Sequence, residues 1–165
     1  LSELSSPLSL DHIVPTQVKT ICSSQKGGIW LLNQNSEQIE YYDRNLRLTS
    51  STVPPGILLS SQYTDIQRIE KHNMLYAFLP GCCLFSFDLY GNFNQKHPLK
   101  NVDNIQIINE NILYFYAGAL NSYNLNTLKT TKVTPGLPEG KWDLVKLSKE
   151  GNLYALKGEK IFIYK

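Results

Sequence analysis

Apolar and polar positions along the chain follow one pattern that recurs four times. In each copy an aromatic residue lies within a short apolar run, and these aromatics are 46, 38 and 40 residues apart. They are Trp30, Tyr76, Tyr114 and Tyr154. A second aromatic follows 9 to 12 residues later in every copy, as Tyr42, Phe87, Tyr123 and Tyr164. Two landmarks at matching offsets in four segments indicate a tandem repeat.

Each copy predicts short strands joined by tight turns. A stretch of period-two alternation precedes the first landmark, and the first three copies have a further strand after the second landmark. Links such as Gly27-Gly28 and Gly151-Asn152 suit hairpin turns because glycine and asparagine tolerate positive φ. The predicted first strands are residues 18–23, 66–70, 105–109 and 144–148. The predicted fourth strands are residues 46–49, 93–96 and 128–131.

A four-stranded meander of about 40 residues has the size of a propeller blade. The predicted fold class is therefore all-β: one β-propeller domain over residues 1–165, with four tandem four-stranded antiparallel blades. No segment of twelve or more residues shows a helical stripe, which argues against parallel α/β architectures. The predicted blades are residues 16–50, 63–98, 102–133 and 142–165, and a short outer strand is predicted at residues 6–10.

The fourth copy has no outermost strand of its own, and two interpretations remain open. In one, residues 6–10 complete the last blade and close a ring of four blades, which leaves only short edges uncovered. In the other, the chain is the C-terminal part of a six- to eight-bladed propeller, and residues 6–10 belong to a preceding blade.

Charge and hydropathy exclude two classes of partner. The formal net charge is +2 over 165 residues, so the chain has no electrostatic footprint for nucleic acid. No apolar run approaches 18 residues, which argues against direct membrane insertion. We therefore expect a protein partner or a small ligand.

Histidines and cysteines give no catalytic or metal-binding constellation. The three histidines, His12, His72 and His97, lack a metal-ligand spacing and are predicted in exposed turns. Adjacent cysteines rarely bridge because their geometry is strained, so we expect Cys82 and Cys83 to remain unbridged. Their predicted role is that of small apolar residues, Cys22 is predicted in the core, and no cofactor is expected.

The residues that recur once per blade are predicted to be structural. Asp43, Asp88 and Asn124 follow the second landmark and are expected to cap turns by accepting backbone hydrogen bonds. The four aromatics of the first landmark are expected to be largely buried between blades. Polar residues of the innermost strands are the candidates for facing a central channel: Gln17, Lys19, Gln67, Arg68, Gln106 and Lys146.

An aromatic in the second strand, with Tyr42-Asp43 or Phe87-Asp88 closing the third, resembles bacterial propellers of the NHL, quinoprotein-like and outer-membrane assembly scaffold types. The resemblance covers residues 16–165 and implies a fold without an activity, because such repeats occur in scaffolds, receptors, lyases and dehydrogenases. The cofactor residues of quinoprotein enzymes have no match in this chain. Trp142-Asp143 is no WD-repeat signature, since it precedes the first strand of its copy.

The sequence favours a noncatalytic protein–protein interaction scaffold, because neither a nucleophile elbow, a P-loop nor a zinc-protease motif occurs. The resemblance implies a bacterial cell-envelope secretion or assembly complex, with a partner at the outer membrane. The expected location is the periplasm or cell envelope, with the cytoplasm as the alternative. The alternative function is a small-ligand or glycan-binding propeller, or a lyase or hydrolase acting at the central channel.

Overall fold

The computed structural model describes residues 17–54, 56, 67–133, 142–148 and 150–164. Within these residues the chain forms fifteen β-strands that belong to four separate sheets. The predicted all-β fold of tandem antiparallel meanders is confirmed. The outer strand predicted at residues 6–10 lies outside the described residues.

Every sheet is a meander in which neighbouring strands follow one another along the chain. The first sheet contains β1 (Val18–Ser23), β2 (Ile29–Asn33), β3 (Ile39–Tyr42) and β4 (Leu48–Ser51). The second contains β5 (Gln67–Lys71), β6 (Met74–Leu79), β7 (Cys83–Asp88) and β8 (Phe93–Pro98). The third contains β9 (Ile105–Ile108), β10 (Asn111–Tyr116), β11 (Ala119–Asn124) and β12 (Thr130–Val133). The fourth contains β13 (Leu144–Leu147), β14 (Leu153–Lys157) and β15 (Lys160–Tyr164).

Two outer strands begin later than their apolar pattern predicts. The predicted strands at 46–49 and 128–131 are observed as β4 and β12, each starting two residues further on. Leu46 and Leu128 have φ values of 57° and 58°, which is the left-handed region and incompatible with an extended strand. Both leucines therefore belong to the preceding turns.

Burial follows the position of a strand within its sheet. In β2, β6 and β7 nearly every residue is buried, which indicates that both faces of these strands are covered. The outer strands β4 and β12 are mostly exposed. The sequence reflects this difference, because the buried strands are continuous apolar runs and the outer strands carry threonine, serine and lysine.

The chain divides into two compact units, Leu1–Ala77 with Phe85–Gln95 and Phe78–Leu84 with Lys96–Lys165. The fully buried side chains of the first unit include Trp30, Leu31, Ile39, Leu75 and Phe87. Those of the second unit include Phe78, Leu84, Leu99, Ile107 and Ile112. The single domain of 165 residues stays a prediction.

Candidate binding site

Two of the polar residues predicted to face a channel, Gln106 and Lys146, connect neighbouring sheets of the second unit. The Gln106 side chain on β9 donates to the Leu147 carbonyl at 2.7 Å and accepts from the Leu147 N–H at 2.8 Å. The Lys146 ammonium on β13 donates to the Ile105 carbonyl at 3.0 Å, and burial lowers the pKa of Lys146. These bonds satisfy the edges of both innermost strands.

The remaining four lie on the innermost strands of the first unit or beside them. Gln17 is exposed and directly precedes β1. Lys19 is on β1, and Gln67 and Arg68 are on β5; their side chains lie outside the described residues. Their role at a channel stays a prediction.

A buried carboxylate that the sequence did not single out joins the first two sheets. Glu70, at 8% exposure on β5, accepts from the Gln25 N–H at 2.8 Å and from the Ser24 hydroxyl at 3.2 Å. Its other oxygen accepts the indole N–H of Trp30. Because the carboxylate has three donors, its desolvation is compensated.

A second buried carboxylate lies within the first sheet. Glu40 on β3 accepts from the Asn33 amide at 2.7 Å and from the Tyr42 hydroxyl at 2.9 Å. Burial, and after it the bond and charge of Glu40, raise the pKa of Tyr42 to about 12. Glu70 therefore connects two sheets and Glu40 stabilises one sheet internally, and the oxygens of both are already engaged by protein donors.

The four landmark aromatics occupy the second strand of their sheets, but their burial differs. Trp30 and Tyr76 are buried and Tyr114 is half-buried. The expected burial is wrong for Tyr154, which is 38% exposed. Tyr154 shares its sheet face with its cross-strand partner Ile163, which is 58% exposed.

The three polar residues after the second landmark bind turn backbone. Asp43 Oδ1 accepts the N–H groups of Asn45 and Arg47, at 2.8 and 2.9 Å. Asp88 Oδ1 does the same for Tyr90 and Asn92, and hydrogen bonds led by that of the Asn92 side chain lower its pKa. Asn124 caps its turn in the same way, because its Oδ1 accepts the N–H groups of Asn126 and Thr127.

The histidines do not share one environment. His72 is exposed in the turn between β5 and β6, and His12 lies outside the described residues. The prediction of an exposed turn is wrong for His97, which is 2% exposed on β8. Its Nδ1 lies 3.2 Å from the Tyr123 hydroxyl, and burial lowers its pKa. Because side chains alternate between the two faces of a strand, a polar segment such as β8 can bury one residue and expose its neighbours.

The prediction that Cys82 and Cys83 remain unbridged is wrong, because the structure joins them in a disulfide. Pro80 and Gly81 form the centre of a β-turn, which the Cys82 N–H closes on the Leu79 carbonyl at 3.1 Å. Cys82 thus lies in the turn and only Cys83 in β7. Outside the extended strand, the two side chains are no longer forced to opposite faces.

The third cysteine, Cys22, does not lie in the buried core. Cys22 is half-buried on β1, where the sequence predicted a core position. Ile21 and Ser23, on the other face of β1, are exposed, so neither face of this innermost strand is fully covered at Cys22. Among the described residues, no three histidine, cysteine or acidic side chains lie close enough to hold a metal ion.

The second unit contains a cleft of about 450 Å³ beside the connection between β8 and β9. Its walls come from that connection, from the end of β10 with the turn after it, and from a tryptophan two residues before β13: Asn101, Asp103, Phe115, Tyr116, Ala117, Gly118 and Trp142. A recess of about 60 Å³ adjoins it and shares Asp103, Phe115 and Trp142. Asn104 and Asp143 line the recess as well.

Trp142 is the central residue of this cleft. The residue is 8% exposed, and its indole N–H is buried without a hydrogen-bond acceptor among the described residues. The Lys157 ammonium lies 5.8 Å from the centre of its ring, and the Phe162 ring packs edge-on at 5.3 Å. The neighbouring Asp143 accepts the Gly158 N–H at 2.7 Å.

Four apolar side chains lie together on one face of the hairpin formed by β14 and β15, and Leu144 and Lys146 of β13 extend that face. Tyr154 pairs with Ile163 and Leu156 with Ile161 across β14 and β15, so these four side chains share a face. Ile161 is 68% and Ile163 58% exposed. We call these four residues the apolar face of the fourth sheet.

Solved structures of low sequence identity resemble the chain over most of its length. A streptogramin B lyase covers 92% of this chain with a TM-score of 0.61 at 12% identity, and virginiamycin B lyase from Staphylococcus aureus covers 92% with 0.60 at 11%. The extracellular domain of a putative one-component system from B. thetaiotaomicron covers 91% with 0.57 at 15%. Neither a protein-family model nor a curated protein matches the sequence.

The three matches above cover only part of the solved chains. The chain spans 55% and 56% of the two lyase chains and 20% of the sensor-domain chain. At these identities the likeness shows the backbone arrangement alone. What the comparison shows is that the sheets of this chain have the β-propeller fold.

Proposed function

We propose that this chain is a noncatalytic interaction module and that it binds a protein partner through the apolar face of the fourth sheet. The exposure of Ile161 and Ile163 on this face carries the proposal. Contiguous apolar side chains on a sheet are costly to leave in water and mark interaction sites. Tyr154 adds an aromatic ring, a residue type enriched where partners bind.

The surroundings of the face support a protein as the occupant. The tip of the hairpin formed by β14 and β15 carries the exposed charged residues Lys157, Glu159 and Lys160. An apolar centre bordered by charged residues is the usual anatomy of a protein interface. The partner surface that fits is itself apolar at its centre, such as the face of another sheet.

The cellular setting is also part of this proposal. The propeller types that the repeat resembles include outer-membrane assembly scaffolds, and one solved neighbour is an extracellular sensor domain. We therefore propose a place in a bacterial cell-envelope assembly or secretion complex, with the periplasm as its compartment. In the part of the chain that the structure describes, no helix is long and apolar enough to span a membrane.

The test compares two charge-introducing variants as bait in affinity purification from the native source. Ile161→Lys combined with Ile163→Lys places charge at the centre of the face. Tyr90→Lys is the matched control, because Tyr90 is 75% exposed and lies in the other unit. Each buried isoleucine contributes about 1.5–3 kcal/mol, so the double variant should recover at least about tenfold less of a stoichiometric partner.

The wild-type chain and the Tyr90 variant should recover that partner equally. All three proteins should melt at similar temperatures, since exposed substitutions change stability by about 0.5 kcal/mol or less. Equal recovery by the double variant would place the interface elsewhere. A wild-type chain that elutes from gentle lysates as a monomer without a partner would contradict the function itself, and a homodimer would identify a second copy as the occupant.

A further inference from the structure

The cleft around Trp142 has the chemistry of a ligand site that is separate from the apolar face. Its volume of about 450 Å³ lies within the range of about 300–1,000 Å³ that small-molecule pockets occupy. Rigid elements position its walls: Phe115 lies near the end of strand β10, and the turn at Ala117 and Gly118 is fixed by φ values of 50° and 77°. A Cβ at Gly118 would meet no atom within 4 Å, so this side of the cleft is open.

The charge of the lining selects against anions. Asp103 and Asp143 contribute carboxylates, whereas no lysine or arginine is among the described residues that line the cleft or its recess. A ligand carboxylate or phosphate would therefore meet two carboxylates against the one ammonium of Lys157 beside the Trp142 ring, so like charge predominates. The lining is therefore compatible with a neutral or a cationic ligand.

The environment of the Trp142 ring favours the neutral ligand. A cationic ligand is best held over an aromatic face, but the Lys157 ammonium already lies over the Trp142 ring at 5.8 Å. The edge of the Phe162 ring occupies another side. A second cation close to Trp142 would be repelled by Lys157, so the aromatic part of the cleft does not form a cage for ammonium groups.

The polar groups at the cleft offer both donors and acceptors to a ligand. The Trp142 indole can only donate, and it lacks an acceptor among the described residues. The Asp103 and Asp143 carboxylates can only accept. Asn101 and Asn104 do both. A hydroxyl group donates and accepts at once, so one ligand with several hydroxyls satisfies the whole set.

We propose that this cleft binds a neutral saccharide unit. Its hydroxyls donate to Asp103 and accept from Asn101 or Asn104, and a ring or hydroxyl oxygen in the recess accepts from the Trp142 indole after a small opening of the wall. The apolar C–H face of the sugar packs on Tyr116, which is 44% exposed at the cleft. Buried polar groups without partners give such sites their specificity, because a ligand lacking the hydroxyl leaves them unpaired.

The test measures binding by titration calorimetry, and by the shift in melting temperature, for a stated set of probes. They are glucose, N-acetylglucosamine and maltose as neutral saccharides, glucuronate and inorganic phosphate as anions, and choline as a cation. At least one neutral saccharide should bind, and the anions and choline should bind at least about tenfold more weakly. A probe at 100 times its Kd raises stability detectably in a melting experiment.

Three variants locate the site. Tyr116→Ala removes the packing surface and should weaken saccharide binding about tenfold, whereas Tyr90→Ala should leave it unchanged. Asp103→Asn keeps the shape and should also weaken binding, because an acceptor for hydroxyl donors is lost. Trp142→Phe removes the donor. Because Trp142 is buried, binding by Trp142→Phe is interpreted only if its melting temperature matches that of the wild type. If it does not match, the result for the exposed Tyr116 variant decides the question.

Some results would overturn the proposal. The first is that none of the neutral saccharides binds. The second is tighter binding of glucuronate by Asp103→Asn, which would reveal an anion site. The third is choline binding that Asp103→Asn abolishes. The Ile161→Lys/Ile163→Lys variant should bind the saccharide normally. Its result separates this inference from the proposed protein interface, so either can fail without the other.

Discussion

At the scale of single residues, buried polar groups connect the sheets. Glu70 on the second sheet accepts three hydrogen bonds from residues of the first sheet, and its backbone carbonyl accepts a fourth from the Gln25 side chain at 3.1 Å. Glutamate is rarely this buried unless it is paired or hydrogen-bonded. The bonds fix the sheets at one spacing, which apolar packing alone would specify less sharply.

Replacing Glu70 tests this connection. In Glu70→Ala the Ser24 hydroxyl and the Gln25 N–H can turn to water, but the indole of Trp30, at 1% exposure, cannot. An orphaned buried donor costs about 1–3 kcal/mol, so we expect the free energy of unfolding to fall by about 2–3 kcal/mol. Urea denaturation followed by tryptophan fluorescence measures it. Glu110→Ala, an exposed position, should lose less than about 0.5 kcal/mol; equal losses would contradict the connection.

At the scale of elements, the sequence predicts the strands better than the turns. The period-two alternation and the continuous apolar runs located the strands, because both patterns depend only on residues that are close in the sequence. The left-handed Leu46 and Leu128 carry an apolar pattern that continues the strand, and only the cap formed by Asp43 or Asn124 ends it. The partners of Glu70 lie 40 to 46 residues away, and no local pattern can indicate a bond of that span.

The turn between β7 and β8 depends on a glycine for two reasons. Gly91 has a φ of 91°, and a Cβ there would overlap the carbonyl of Ser51 at the end of β4. Gly151 has a φ of 89° but open space around its Cβ position. Gly91→Ala and Gly151→Ala both place alanine in the left-handed region, which lowers the free energy of unfolding by about 1–2 kcal/mol. Only Gly91→Ala adds overpacking against Ser51, which costs about 1–3 kcal/mol more. Thermal or urea unfolding should therefore rank Gly91→Ala as the less stable by that margin; similar losses would show that Ser51 moves freely.

At the scale of the whole molecule, the repeat specifies the fold and not the candidate sites. The landmarks are aromatics of the second and third strands, whereas the cleft is built from the connection before β9, the end of β10 with the turn after it, and Trp142 before β13. None of the lining residues is a landmark of the repeat, so self-similarity did not mark them. Trp142 was noticeable in the sequence as a Trp-Asp pair, yet its role depends on an unpaired N–H that only the structure reveals.

The pH dependence of the whole fold should depend on His97. Burial lowers the pKa of His97 below its ordinary value of 6.5, so below that pH the unfolded chain binds a proton that the folded chain does not. The stability that neutral His97 contributes is therefore fully present above pH 6.5 and is lost as the pH falls through the lowered pKa. The slope from one proton is at most about 1.4 kcal/mol per pH unit.

Urea unfolding at a series of pH values below 6.5 measures this dependence in wild type, His97→Gln and His72→Asn. His97→Gln should show a flatter loss of stability on acidification, whatever its stability at neutral pH, because the titrating group is gone. His72→Asn is the matched control, since His72 is exposed at a φ of 54° that asparagine tolerates. It should follow the wild-type slope. A His97→Gln slope equal to that of wild type would mean that other groups, and not this buried imidazole, set the acid limit of the fold.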